Sequence, residues 1–240
     1  MSNKLYSMLE LSSMGFPHNS FYALDLNGVR PDEIESFLRD GLRNFKSKIN
    51  CQLACVRVGL AGRPEFKLFL APNLDANDDE LILSKMREAL VFLSEKHGGY
   101  SDGFIIIQEW TPETDYLFSL NLMPQNGAYI IEAVKGNHFN IDRLEAERTI
   151  IKLSASGHEL IKSTINPDEI IILNRLINRL SNKYLFKDNC VYELSFLSNR
   201  PSFYQVKKPG QLYKHPLSKQ DFYHNLKENK IPFESRVMRK

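Results

Sequence analysis

The sequence has few cysteines, a single tryptophan, no long apolar run and almost no excess of charge. Its three cysteines, Cys51, Cys55 and Cys190, are odd in number, and Cys51 and Cys55 lack the two-residue spacer of a redox or zinc pair. Free thiols in a reducing cytoplasm are therefore expected. No apolar stretch approaches the roughly 20 residues of a membrane helix. The start, Met1-Ser2-Asn3-Lys4, is not followed by the apolar block of a secretory leader, so a cytoplasmic protein is expected. Gly-rich phosphate loops of the Walker or dinucleotide kind are missing, because Gly59, Gly62 and Gly98-Gly99 are too sparse to form one. The six histidines are scattered without metal-ligand spacing, and no serine sits in a nucleophile elbow. These absences disfavour zinc enzymes and serine hydrolases. The net formal charge of +2 is too small to argue for nucleic acid.

What remains is an ordinary globular composition. Of 240 residues, 42% are apolar and 25% charged. That is enough chain for one large domain, or two small lobes around a shared cleft, with a core that needs no disulfides. The charge is uneven. Residues 207–240 hold nine Lys/Arg against three Asp/Glu, a balance of +6, which leaves −4 on the rest. Tyr213, Phe222, Tyr223 and Phe233 dot this basic stretch. A nucleic-acid contact there is a minor alternative to packing on the body or on another subunit.

Pro31, Asp32 and Glu33 lead into apolar residues Ile34, Phe37, Leu38, Leu42 and Phe45 at helical spacing, which predicts a helix over 31–48. A second helix is predicted over 78–97, ended by Gly98-Gly99, and a third over 167–183 behind Pro167. Strands are predicted at 53–58, 66–71, 104–108, 115–121, 128–134, 190–197 and 202–206, with 149–153 and 160–165 less distinct. Residues 142–147 allow one helical turn. Asn126-Gly127 is a turn signal between two of the strands. The mixture, with hairpins prominent in the second half, reads as α+β. The expected divisions are a lobe over 1–98, a second over 99–208 and a basic extension over 209–240.

One constellation carries chemistry. Glu193 lies in an otherwise apolar strand, Gln205 lies twelve residues on in the next strand, and Lys207 lies two beyond. On a hairpin the three approach each other, and 205 and 207 share a face because the strand period is two. A carboxylate, an amide and a cation together suit Mg²⁺ and a polyphosphate: the carboxylate takes the metal, the amide and cation take phosphate oxygens. On residue types alone, a solvated surface ion pair fits the same spacing.

The segment Tyr192-Glu193…Tyr204-Gln205-Val206-Lys207 resembles the end of the ATP-binding domain of the phosphoenolpyruvate synthase and pyruvate phosphate dikinase family. That family ends its ATP-grasp domain with a metal-binding Glu, a Gln twelve residues on and an Arg two further. Lys207 keeps the charge of that Arg without its bidentate fork. Lys4, followed eleven residues later by Gly15-Phe16-Pro17 and then by Phe21, resembles the family's opening phosphate-binding Lys and its Gly-apolar-Pro motif. Cys55-Val56-Arg57-Val58 resembles the family's Val-Arg-Ser-Ser strand, whose Arg contacts phosphate; Val58 and Gly59 stand where the serines would. Ile105–Gln108 with Glu109 and Trp110 resembles the adenine-holding strand and hinge. Ile131-Glu132-Ala133-Val134-Lys135-Gly136 resembles the stretch lining the far side of the nucleotide.

The resemblance spans residues 4–208 and implies a stand-alone, shortened ATP-grasp domain of α+β fold. Two lobes with antiparallel sheets would clamp Mg²⁺ and ATP. It implies Lys4, Arg57 and Lys207 as the phosphate-directed catalytic cations, and Glu193 and Gln205 on the metal. Gln108, Glu109, Trp110, Glu132 and Gln205 would bind the nucleotide, with hinge backbone groups at 109 and 110 reading the base and Glu132 serving ribose or metal. The implied activity is phosphoryl transfer. The acceptor could be a histidine on a separate protein, a small molecule, or a carboxylate in a ligase reaction. The altered Val58-Gly59 loop and Lys207 also leave open a non-catalytic nucleotide- or partner-binding regulatory module. The family's swivelling and barrel domains have no counterpart in these residues.

Overall fold

The computed structural model describes residues 4–60, 69–112, 115–126, 128–136, 149–154, 157–162, 165–197, 200–207 and 233–234. The chain divides into two units: Met1–Leu9, Asn19–Pro112 and Leu212–Lys240 form one, and Glu10–His18 with Glu113–Gln211 the other. The break expected near Gly98-Gly99 therefore falls inside the first unit. The physical reason is that the strand after those glycines pairs centrally in the first sheet. Within the basic extension, the described pair Phe233–Glu234 joins that sheet beside Ala23 and Leu24.

The first unit is built on β1 (Phe21–Asp25), β2 (Leu53–Leu60), β3 (Leu70–Asp75), β4 (Gly103–Glu109) and β11 (Phe233–Glu234). They lie in the order β11-β1-β4-β2-β3, antiparallel except for the β11–β1 pair. A short 3-10 turn (Pro31–Glu33) opens α2 (Ile34–Lys48), and α3 (Asp79–His97) follows β3. The Asp78 carboxylate accepts from Leu81 N at 3.0 Å and caps α3, while Gly98 ends it at φ 71°, a left-handed conformation that costs glycine little. Phe37, Leu38, Leu42 and Phe45 of α2 and Ile82, Met86, Ala89 and Leu93 of α3 bury against Tyr22, Leu24, Ala54, Val56, Val58, Ile105 and Ile107. Those strand residues alternate, so both helices cover one face of the sheet. The strand expected at 66–71 begins at 70 instead, and its first residues, 66–68, lie outside the described residues.

The second unit holds β5 (Tyr116–Gln125), β6 (Ala128–Lys135), β7 (Thr149–Ser154), β8 (Gly157–Lys162), β9 (Val191–Leu197) and β10 (Arg200–Lys207). Their order is β10-β9-β5-β6-β7-β8, antiparallel throughout. The helix α4 (Pro167–Lys183) starts with a capping box, Asn166 accepting from Glu169 N and the Glu169 carboxylate from Asn166 N. Its buried residues, Ile170, Leu173, Leu176, Ile177 and Leu180, pack with Phe118, Leu120, Leu122, Ile131, Tyr192, Leu194, Phe196, Phe203 and Val206. One face of this sheet is therefore apolar and covered by α4. The possible turn at 142–147 and the basic stretch, apart from the backbone of 233–234, lie outside the described residues.

The first helix, α1 (Lys4–Ser13), ends in the second unit. Gly15 turns left-handed at φ 72°, Phe16 N donates to Leu11 O at 2.9 Å, and the chain reverses into Pro17. Pro17 O accepts from Phe203 N at 2.8 Å, which fastens this segment to β10. Phe16 enters a ring cluster with Phe203 (4.7 Å between centroids), Tyr184 (4.9 Å), Phe186 (5.4 Å) and Tyr192 (5.6 Å). The Gly-Phe-Pro motif thus has a packing role of its own. Phe16→Ala should destabilise the protein by about 3–5 kcal/mol through the cavity it leaves; the midpoint of urea unfolding checks it, and a change under 1 kcal/mol would count against this packing.

Candidate functional site

In the second unit, the face of the sheet turned away from α4 is polar. Register places Gln205 directly opposite Glu193, Glu193 opposite Asn121, and Asn121 opposite Glu132, a row across β10, β9, β5 and β6. A second row runs Ser202, Ser195, Ser119. Glu193 is 4% exposed and Gln205 5%, and Ser119, Ser195 and Ser202 are buried. Lys207, whose side chain is half-exposed, makes an ion pair from Nζ to Glu193 Oε1. Asn121 Nδ2 donates to Glu132 Oε2 at 3.2 Å, and Asn121 Oδ1 is buried without a hydrogen-bond partner among the described residues. Ser119 Oγ donates to Gly136 O at 2.6 Å and lies 2.5 Å from Ser195 Oγ.

A β-bulge makes this arrangement. Between Phe203, paired with Leu194, and Gln205, paired with Glu193, β10 advances two residues while β9 advances one. Tyr204 is the extra residue. Phe203 stays on the apolar face, and Gln205 and Lys207 turn to the polar one. Hairpin reasoning brings 193, 205 and 207 together, but the parity change at 204 has no signal in the sequence. Asn121, Ser119 and Ser195 are absent from the sequence reading. Their signal is there: in Phe118–Leu122, polar residues alternate with buried apolar ones, the mark of a two-sided strand.

In the first unit, Arg57 and Gln108 lie on the face opposite α2 and α3. Cys55 pairs with Gln108 and Arg57 with Ile106, so Arg57 and Gln108 are diagonal neighbours. Arg57 Nη1 donates to the buried Gln108 Oε1 at 3.3 Å. At the hinge, Glu109 N donates to Ser20 O at 2.8 Å and Trp110 N to Leu53 O at 2.9 Å. The Glu109 carbonyl accepts from Asn19 Nδ2 at 3.1 Å, and its carboxylate from Ser20 N at 3.2 Å. Of the backbone groups expected at Glu109 and Trp110 to read a base edge, both N–H donors are thus engaged within the chain. Lys4 opens α1, and its side chain lies outside the described residues.

Among the described residues, no three His, Cys, Asp or Glu side chains gather around a common point, and no helix is long and apolar enough to cross a membrane. No family model matches the chain, and no curated protein matches it in sequence. Solved structures similar to it include D-cycloserine synthetase DcsG (13% identity, TM-score 0.42, covering 94% of this chain and 69% of that one). Two others are D-alanyl-alanine synthetase A from Vibrio cholerae (10%, 0.39, 95% and 64%) and phosphoribosylglycinamide synthetase from Anaerococcus prevotii (11%, 0.40, 83% and 41%). These are ATP-grasp enzymes. The chain itself is of α+β class, with two sheets and, among the described residues, four helices.

Two tyrosines, the buried Tyr192 and the half-buried Tyr204 with its hydroxyl inside, give the second unit an alkaline limit. Burial pushes the Tyr204 phenol up, on the polar face beside Ser195 and Ser202, and burial pushes Tyr192 up to about 12 on the apolar face. The unfolded chain gives up these protons near the ordinary tyrosine value of about 10, and the folded chain holds them. Their contribution to stability is thus complete below about pH 10 and is lost as pH rises through the folded values. Unfolding free energy should fall between about pH 10 and 12, and Tyr204→Phe should flatten the fall. An equal slope in that variant would contradict a neutral Tyr204 phenol held inside the fold.

Proposed function

We propose that the chain binds Mg²⁺ and ATP and transfers the terminal phosphoryl group to an acceptor, as an ATP-grasp phosphotransferase or ligase. The observation that carries this reading is the Gln205–Glu193–Lys207 set: a buried carboxylate, a buried amide and an ammonium on one face of one hairpin. Burying a carboxylate is costly unless a cation pairs with it, and here the pairing cation is the half-exposed Lys207.

The groups present fit a magnesium ion. Mg²⁺ takes oxygen ligands and is commonly held by one or two carboxylates with substrate phosphates. Beside Glu193 stands the orphaned Asn121 Oδ1, an acceptor without a donor. Glu193 and Gln205 would hold the ion, which when bound neutralises charge on the phosphate oxygens. In the second unit, Lys207 would bind and orient a phosphate and Glu132 would serve ribose or metal; in the first, Lys4 and Arg57 are proposed as phosphate-directed cations and Gln108 as a nucleotide contact. The acceptor's oxygen or nitrogen bonds to the γ-phosphorus, the bond to the β-bridging oxygen breaks, and ADP leaves with the electron pair. The acceptor's proton passes to solvent or to a base on the acceptor. The chain's contribution is positioning and charge. A protein histidine, a small alcohol or a carboxylate would each serve as acceptor.

A second reading, a nucleotide- or partner-binding module without turnover, is favoured by the occupied N–H donors of Glu109 and Trp110 and by Val58 and Gly59 in place of two hydroxyls. Calorimetric titration with ATP in Mg²⁺ and in chelator tests both readings. Glu193→Ala should weaken the Mg²⁺-dependent affinity about tenfold or more; an unchanged affinity defeats the metal role. Arg57→Ala should cost ATP about 1.5–3 kcal/mol more than it costs adenosine, because a charged hydrogen bond to phosphate is lost; equal losses defeat the phosphate role. Binding with no ADP release to any acceptor class would select the module.

A further inference from the structure

Asn121 stands between two carboxylates. Its partners in register are Glu132 on β6 and Glu193 on β9. Directly opposed residues have Cβ atoms about 4.5–5.5 Å apart, so all three head groups share one patch of the sheet. The amide nitrogen is used on Glu132 Oε2, which leaves Oδ1 at the other end of the amide, buried and without a donor. Flipping the amide does not help. Oδ1 would then meet Glu132 Oε2, acceptor against acceptor, and its only other register partner is also a carboxylate. A carboxamide oxygen flanked by carboxylates is satisfied by a cation. The cation already present is Lys207, whose Nζ is on Glu193 from the neighbouring strand.

We propose that Asn121 Oδ1 is a ligand of a divalent cation shared with Glu193, and that the Lys207 ammonium holds Glu193 until that cation displaces it. The proposal rests on the metal role of Glu193 in the function above, and adds to it a ligand from β5 and a competition. Lys207 has two alternative partners, the Glu193 carboxylate and a phosphate oxygen, and the cation decides between them. A hard divalent ion accepts this mixed set of carboxylate and carboxamide oxygens, as it does in calcium and magnesium sites generally.

The test uses the full chain and Mn²⁺ without nucleotide, followed by the loss of the free aqua-ion signal in electron paramagnetic resonance. Lys207→Met should tighten Mn²⁺ about two- to fivefold, the scale of one competing ion pair released. In that background, Asn121→Ala should weaken Mn²⁺ about tenfold, and Asn121→Asp, which keeps the oxygen and adds charge, should restore or exceed the parent affinity. Circular dichroism identifies a variant that fails to fold, and Asn121→Asp then carries the test alone: weaker Mn²⁺ binding in it overturns the proposal. Unchanged affinity in Asn121→Ala, or in Lys207→Met, also overturns it, as does a chain that takes up no Mn²⁺ at all. ATP titration is read separately. Mn²⁺ uptake with this pattern but no ATP binding sinks the nucleotide function and leaves the cation site standing. Mg²⁺-dependent ATP binding indifferent to position 121 does the reverse.

Discussion

Tyr204 is one residue too many for a regular β10–β9 ladder, and the second unit depends on that surplus. With strict alternation, Phe203 and Gln205 would share a face. Either Phe203 would leave the rings of Phe16, Tyr184 and Tyr192, or Gln205 would be driven into the apolar layer under α4. The bulge removes the conflict. Upstream of it, β10 contributes Phe203 to the core and backbone pairing to Pro17 and His18. Downstream, it presents Gln205 and Lys207 to Glu193. One local irregularity therefore ties the N-terminal Gly-Phe-Pro segment and the polar site to the same strand.

The two faces are held in different ways. Under α4, large rings and branched chains are removed from water, a non-directional gain proportional to area. On the polar face each buried group needs a partner with suitable geometry, because an unmet donor or acceptor costs about 1–3 kcal/mol. Ser119 meets this need with Gly136 O and Ser195, and Asn121 meets half of it with Glu132. Asn121 Oδ1 is an acceptor that no donor reaches among the described residues, which is why it points to a cation more sharply than the carboxylates do.

Legibility in the sequence followed the kind of physics involved. Helices α2, α3 and α4 could be read because apolar spacing and end signals agree: Asp78 before α3 and Gly98 after it, Pro167 at the start of α4. The strand β3 was misplaced because it carries Pro72 and Asn73 and is mostly exposed at the sheet edge. An edge strand needs little apolar patterning, while the apolar run before it invited a strand. The domain break was placed at Gly98-Gly99 because those glycines end a helix, and nothing local says that the next strand inserts between β1 and β2. At the site, the twelve-residue spacing of Glu193 and Gln205 was visible, and the bulge that makes it effective was not. The hinge was the reverse case. Nothing local in Glu109-Trp110 says that their N–H groups donate to Ser20 and Leu53, which are remote in sequence.

Charge balance around Glu193 constrains how ligands could arrive. Its carboxylate is buried, and a buried carboxylate stripped of its partner is strongly disfavoured. A polyphosphate alone would draw Lys207 away and leave Glu193 bare. A divalent ion alone would displace Lys207 into solvent with nothing new to bind. When ion and phosphate arrive together, the ion covers Glu193 and Asn121 Oδ1, Lys207 moves to phosphate oxygen, and every charge keeps a partner. The pairing seen between Lys207 and Glu193 is then more than a surface ion pair. On the proposed function it would favour a metal–polyphosphate complex over either component, because only the complex exchanges one satisfied arrangement for another.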